Sequence, residues 1–206
     1  MDAEGFRVRS GVSRETVTRL QDLEALLNRW NPRINLVARS TLGQFWARHV
    51  LDSWQLVPLV PATARSWIDL GSGGGFPGLV VAATHPAHVT LIESDARKCA
   101  FLREAARTMG LEITVITGRI ETVTDLKADV VSARALAPLS RLLEWVQPFM
   151  QSDSVGAFLK GQDIESELTA ATKCWKFSWE RHQSLSDGAG SVLLVRGLEH
   201  HGNADT

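Results

Sequence analysis

The sequence is short of several things that would settle its class at once. It has two cysteines, Cys99 and Cys174, far apart and in no CxxC or Cys/His cluster. That spacing excludes a disulfide framework and a zinc site, and it predicts two reduced, semi-buried thiols. No apolar run approaches the roughly 18 residues that span a bilayer. The opening Met1-Asp2-Ala3-Glu4-Gly5 has neither the basic region nor the apolar stretch of a secretory signal. A soluble, cytoplasmic protein with no membrane partner and no metal is therefore expected. There is no internal repeat and no low-complexity linker. Net charge is scarce too, at −1 over 206 residues. The small value hides an asymmetry, because residues 1–65 carry nine arginines, no lysine and six acids. Any RNA contact must come from local patches, with the N-terminal arginines the first place to look.

What is present suits one globular domain: 44% of residues are apolar and 22% charged, enough to bury a core without staples. We divide the chain into an N-terminal helical extension (1–64), a main domain (65–200) and a frayed tail (201–206). In the extension, Ser13 caps a helix in which Val17, Leu20, Leu23, Leu27 and Trp30 recur at helical spacing, and Asn31-Pro32 stops it. A second helix starts at Ser40 or Thr41, carries Leu42, Phe45, Trp46, Val50 and Trp54 on its apolar side, and ends before Pro58.

From Arg65 the pattern alternates strand and helix. Strands are expected near 66–70, 88–93, 112–117, 128–132, 154–159, 174–183 and 190–197, with helices near 77–84, 95–109, 119–125, 138–150 and 163–171. Such alternation argues for a parallel sheet covered on both faces. The last two strands are joined only by Ser186-Asp187-Gly188-Ala189-Gly190, so they form an antiparallel hairpin. The predicted class is α/β, a Rossmann-like, mostly parallel seven-stranded sheet closed by that hairpin.

The chemistry gathers where the first strand breaks, in Asp69-Leu70-Gly71-Ser72-Gly73-Gly74-Gly75-Phe76-Pro77-Gly78. Glycines there let the backbone turn and approach a ligand closely. The second strand ends in Glu93, suited to accept hydrogen bonds from two ribose hydroxyls. Read from Gly73 the loop also satisfies the dinucleotide pattern GxGxxG, so a nicotinamide-linked oxidoreductase competes. Three features favour S-adenosylmethionine instead: Asp69 two residues before Gly71, which suits a cationic amino-acid moiety better than a phosphate; the terminal hairpin; and a chain too short for a second dinucleotide half. After the third strand, Ile120 and Glu121 fall where an adenine would lie.

The loop after the fourth strand, Ser132-Ala133-Arg134-Ala135-Leu136-Ala137-Pro138, is informative through what it omits. It has no Asn/Asp-Pro-Pro-aromatic run to grip an exocyclic amine and no cysteine for a covalent adduct. A target that already exposes a lone pair, such as guanine N7, needs only positioning. Arg134 is the one strong polar group available, suited to guanine O6, a phosphate or a carboxylate.

Several segments together resemble the RsmG (glucose-inhibited division protein B) family. These are Trp30-Asn31 with Ile34-Asn35-Leu36, Arg48-His49-Val50-Leu51-Asp52-Ser53, the glycine loop, Ser132-Ala133-Arg134-Ala135 and Leu159-Lys160-Gly161. The resemblance runs from Leu26 to Leu198. It implies methyl transfer from S-adenosylmethionine to N7 of a guanine, position 527 in the 530 loop, of 16S ribosomal RNA in the small subunit. It further implies cofactor contacts at Gly71, Phe76, Ile120, Glu121 and Arg134. Asn35, His49 and Asp52 would lie near the site mouth, Lys160 would meet phosphate, and Arg196 stands close to a basic position of the family. Glu93 replaces the family's more usual Asp. The expected site is thus Arg134 as catalytic residue, with Asp69, Gly71, Gly73, Gly75, Phe76, Glu93, Ile120, Glu121 and Arg134 on the cofactor. Asn35, His49, Lys160 and Arg196 fall on the substrate side. A monomer is expected. A methyltransferase on another RNA or a small molecule, and a cofactor-binding ribosome-assembly factor, are the other readings.

Overall fold

The computed structural model describes residues 1–186 and 188–201. Seven strands form one sheet in the order β3-β2-β1-β4-β5-β7-β6. They are β1 Ser66–Leu70, β2 His88–Glu93, β3 Ile113–Thr117, β4 Val130–Arg134, β5 Val155–Lys160, β6 Trp175–Gln183 and β7 Ser191–His200. The first five pair in parallel, while β7 runs antiparallel to both β5 and β6. The alternation of strands and the terminal hairpin are as the sequence predicts. Strands β1, β4 and β5 are buried along almost their whole length, as a sheet covered on both faces requires. Their carboxyl ends, and those of β2 and β3, open on one edge, where ligands bind in open α/β sheets.

The helices are α1 Ala3–Ser10, α2 Arg14–Ile34, α3 Asp52–Trp54, α4 Gly78–Thr84, α5 Ala96–Met109, α6 Leu139–Val146 and α7 Ile164–Ala171. Ser13 caps α2 as expected, its hydroxyl accepting from the Thr16 amide at 3.1 Å. Val17, Leu20, Leu23, Leu26 and Leu27 are buried along one side of α2, which packs on α5. Pro32 does not stop the helix. It sits in the last turn, and the end comes three residues later at Asn35, whose φ of 46° is left-handed and whose amide bonds Asn31 O. The sequence offered no sign of α1, since only Phe6 on it is buried. Phe6 wedges against Trp46 and Trp54 with ring centroids 5.8 and 6.0 Å away, and its burial contributes roughly 1.5–3 kcal/mol.

Two further expectations need correcting. The second helix of the extension is not one α-helix: a 3₁₀ segment (Arg39–Gln44) passes into a π-helical stretch (Phe45–Leu51) and then α3. The wider winding lets Phe45, Trp46, His49, Val50 and Leu51 all turn inward. The helix expected over 119–125 shrinks to a 3₁₀ turn, Ile120–Thr122, because this stretch buries no residue that a longer helix would need as its stripe. In the expected tail, the His201 amide still bonds Cys174 O; residues 202–206 lie outside the described residues. Among the described residues no helix is long and apolar enough to cross a membrane.

Candidate active site

Asp69 sets the glycine loop from below. It lies on β1 with no exposed surface, accepting from Ser132 Oγ at 2.7 Å and from the Gly78 amide at 3.3 Å. Ser132 accepts in turn from the indole of Trp67 at 2.8 Å. Burial pushes the Asp69 carboxyl up to about 6, against these hydrogen bonds and the Arg134 charge, which pull it down. Gly78 must be a glycine, since a Cβ there would lie 2.2 Å from Leu91 and 2.9 Å from the Asp69 carboxylate. Asp69 therefore ties β1 to β4 and to the start of α4, beneath the loop, and is not among the residues that line either of the two cavities at Arg134.

Above it lies a cavity of about 370 Å³, within the roughly 300–1,000 Å³ of small-molecule sites. Gly71, Gly73, Glu93, Ile120, Glu121 and Arg134, the residues expected on the cofactor, all line it. Gly71 takes a φ of 63°, and a Cβ there would strike Leu136 at 2.5 Å. The Glu93 carboxylate is fixed by two amides, Gly73 N–H on Oε2 at 2.9 Å and Asp95 N–H on Oε1 at 2.8 Å. Oε1 also accepts a long hydrogen bond from Ser94 Oγ at 3.5 Å, while Oε2 retains a lone pair for a ligand hydroxyl. Gly75 and Phe76 lie beneath the loop: a Cβ on Gly75 would meet Leu79, and Phe76 is buried in the core.

A second cavity, about 360 Å³, adjoins it on the side of the extension, lined by Leu36, Val37, Thr41, Arg48, His49 and Asp52 together with Arg134 and Lys160. Asn31 builds part of this wall. Its amide oxygen accepts from Leu36 N–H at 2.7 Å and Val37 N–H at 2.9 Å, and its nitrogen donates to Val37 O at 3.1 Å.

Arg134 and Ala135 line both cavities. Ala135 holds a left-handed φ of 50°, so the chain turns sharply where the two spaces meet. Nη1 of Arg134 donates to His49 Nδ1 and to Arg48 O, each at 3.2 Å, and lies 3.6 Å from Asp52. The guanidinium stands 5.1 Å over the Phe76 ring, on which His49 also stacks at 4.9 Å. Burial lowers the Arg134 pKa, and Asp52 and Asp69 oppose the shift. A guanidinium only donates, so Nδ1 of His49 is the acceptor and Nε2 carries the proton, given to Thr41 Oγ1 at 2.9 Å. Burial and the neighbouring Arg134 hold the His49 pKa down to about 4, keeping the ring neutral near pH 7.

The other residues expected on the substrate side are placed differently from one another. Lys160 reaches the second cavity, but its ammonium pairs with Glu167 at 2.5 Å and donates to Ala137 O at 2.9 Å, bracing the loop after β4. Asn35 is an exposed helix cap. Arg196, on β7, pairs with Glu180 at 2.5 Å and lines neither cavity. Sequence reasoning missed Thr41 as the partner of His49 and Asn31 as the anchor of the wall. Trp145, which lines the first cavity, lies on an amphipathic helix that gives no local sign of it.

The sequence profile of the rRNA small subunit methyltransferase G family matches residues 16–193. The chain belongs to that family. It is 53% identical over 204 residues to ribosomal RNA small subunit methyltransferase G of Parvibaculum lavamentivorans, covering 96% of this chain and 90% of that one. The protein of the same name from Paramagnetospirillum magneticum is 52% identical, with 95% and 96% covered. Among solved structures, a TehB-like SAM-dependent methyltransferase from Corynebacterium glutamicum superposes with a TM-score of 0.58 at 14% identity, covering 84% of this chain and 97% of that one. A mutant of MtNAS in complex with S-adenosylmethionine also gives 0.58, at 15% identity, with 95% and 84% covered. These likenesses carry the fold. Family and fold together make the chain an S-adenosylmethionine-dependent rRNA methyltransferase.

Proposed function

We propose that this methyltransferase acts on N7 of a guanine, position 527 in the 530 loop of 16S ribosomal RNA, within the small subunit. One observation carries the reading: a buried arginine joins two cavities, and it is flanked by a histidine that accepts from it rather than by a free base. S-adenosylmethionine supplies a methyl group on a sulfonium, and attack by a nitrogen lone pair releases a neutral thioether. No proton has to leave a guanine N7, so no general base is needed.

The chain's residues divide the remaining work. Glu93 accepts from the ribose hydroxyls, Gly71 and Gly73 let the ligand approach the backbone, and Ile120 packs on the base. The sugar and base are thereby fixed before the methyl group is aimed. Arg134 reaches across to guanine O6, held by His49 and Arg48 O at Nη1 with the rest of its fork free to donate. Asp52 and Asp69 offset its charge, so the positive charge that develops on N7 is not opposed by a bare guanidinium. One chain supplies both cavities, and we infer that it works as a monomer in the cytoplasm.

The test is methyl transfer from labelled S-adenosylmethionine to small subunits from cells lacking this protein, with the modified base mapped. Label at one guanine N7 in the 530 loop is expected. Label at any other base discards this substrate while leaving the enzyme class intact.

A further inference from the structure

A buried N–H with no acceptor is rare in a close-packed protein, because leaving it unmade forfeits its bond to water. Trp145 presents one. Its indole nitrogen is buried and has no partner among the described residues. The ring lies on α6, fixed by Arg141, whose guanidinium stacks on it at 5.0 Å while pairing with Glu144 and, at 3.7 Å, with Glu121. Trp145, Ile120 and Glu121 are shared by the first cavity and a more apolar hollow of about 430 Å³ behind it. They form the wall between the two. The first cavity is therefore walled in part by an aliphatic residue, an ion-paired carboxylate and an indole whose donor is unused. A purine base carries ring nitrogens with free lone pairs, the acceptors such a donor lacks.

We propose that the Trp145 indole N–H donates to a ring nitrogen of the adenine base of S-adenosylmethionine, making Trp145 a cofactor-binding residue with Arg141 holding its ring in place. The inference rests on the assignment of the first cavity to the cofactor. Its test separates the two and reads binding alone. Dissociation constants for S-adenosylhomocysteine and its 1-deaza, 3-deaza and 7-deaza analogues are measured by calorimetry, on the wild type and on Trp145→Phe.

Loss of one hydrogen bond weakens binding by about three- to tenfold. That loss is expected for Trp145→Phe with the parent ligand and for one deaza analogue with the wild type. The combination should be no weaker than either alone, since the same bond is removed twice. Losses that multiply for all three analogues would overturn the proposal and leave Trp145 as packing only. Undiminished binding of every analogue by the wild type would overturn it without recourse to a variant. Should Glu93→Ala leave binding of the parent ligand unchanged, the cavity assignment itself fails, whatever Trp145 does.

Discussion

The two cavities that meet at Arg134 are built in opposite ways. The first is mainly backbone and strand ends: glycines at β1, a carboxylate pinned by two amides at β2, and a turn after β3. The second borrows most of its wall from the extension, through side chains held by other side chains: Asn31 on Leu36 and Val37, Thr41 on His49, His49 on Arg134. A cofactor that is the same in every turnover suits a wall whose geometry follows from the sheet. A nucleic-acid substrate has to be distinguished from its neighbours, and that falls to residues attached to the sheet from outside. Catalysis is expected where the two constructions touch, and three experiments probe the contrast.

The largest effect is expected from Arg134→Ala, which removes the charged side chain shared by both cavities. Turnover should fall by several hundredfold, about 3–4 kcal/mol of transition-state stabilisation, with a much smaller change in melting temperature. Loss of stability in proportion to activity would make Arg134 a structural link between the cavities and nothing more. Glu93→Ala belongs to one side only. Affinity for S-adenosylmethionine should drop by about 30-fold, roughly 2 kcal/mol for two charge-assisted hydrogen bonds, while KM for the RNA stays put. A matching rise in the RNA KM would erase the division between the walls.

The smallest effect concerns pH, where the two constructions carry opposite signs. Asp69 is held protonated up to about 6 in the fold but ionises near 3.8 when unfolded. Between those values the native state binds the extra proton, so this group's contribution falls as pH rises. His49 stays neutral down to about 4, against 6.5 unfolded, so its contribution falls as pH drops through the same window. In the wild type the two slopes oppose. Relative to wild type, Asp69→Asn should lose stability on going from pH 6.5 to 4, and His49→Asn should gain it, by about 2 kcal/mol each. Chemical denaturation at several pH values reads this directly. Parallel curves for all three proteins would mean that neither group is perturbed as its burial implies.

The sheet was legible because its signals are local: the apolar runs of β1 and β2, the glycines behind Asp69 and the turn residues before β7 each act within a few residues. Most of the first cavity's lining was legible for the same reason. Asp69 shows the limit of such reading. Its position two residues before Gly71 identifies the motif, yet no spacing says that Ser132, 63 residues away, takes its carboxylate into the core. Lys160 and Arg196 are parallel cases, cations whose partners Glu167 and Glu180 come to them only through β-sheet register and helix packing. The π-helical stretch had no signature at all. It is imposed by the number of large side chains, Phe45 to Leu51, that must turn inward together.

The three hydrogen bonds of Asn31 have a dynamic consequence. Leu36 and Val37 form part of the second cavity's wall, and their amides are closed by a side chain rooted in the last turns of α2. The mouth of the site and the end of that helix are then one cooperative unit: neither amide is released to solvent until Asn31 lets go, and Asn31 lets go when the helix end unwinds. On the proposed assignment of this cavity to RNA, opening would in this sense be a local unfolding event, and the two amides should exchange with solvent at a common rate.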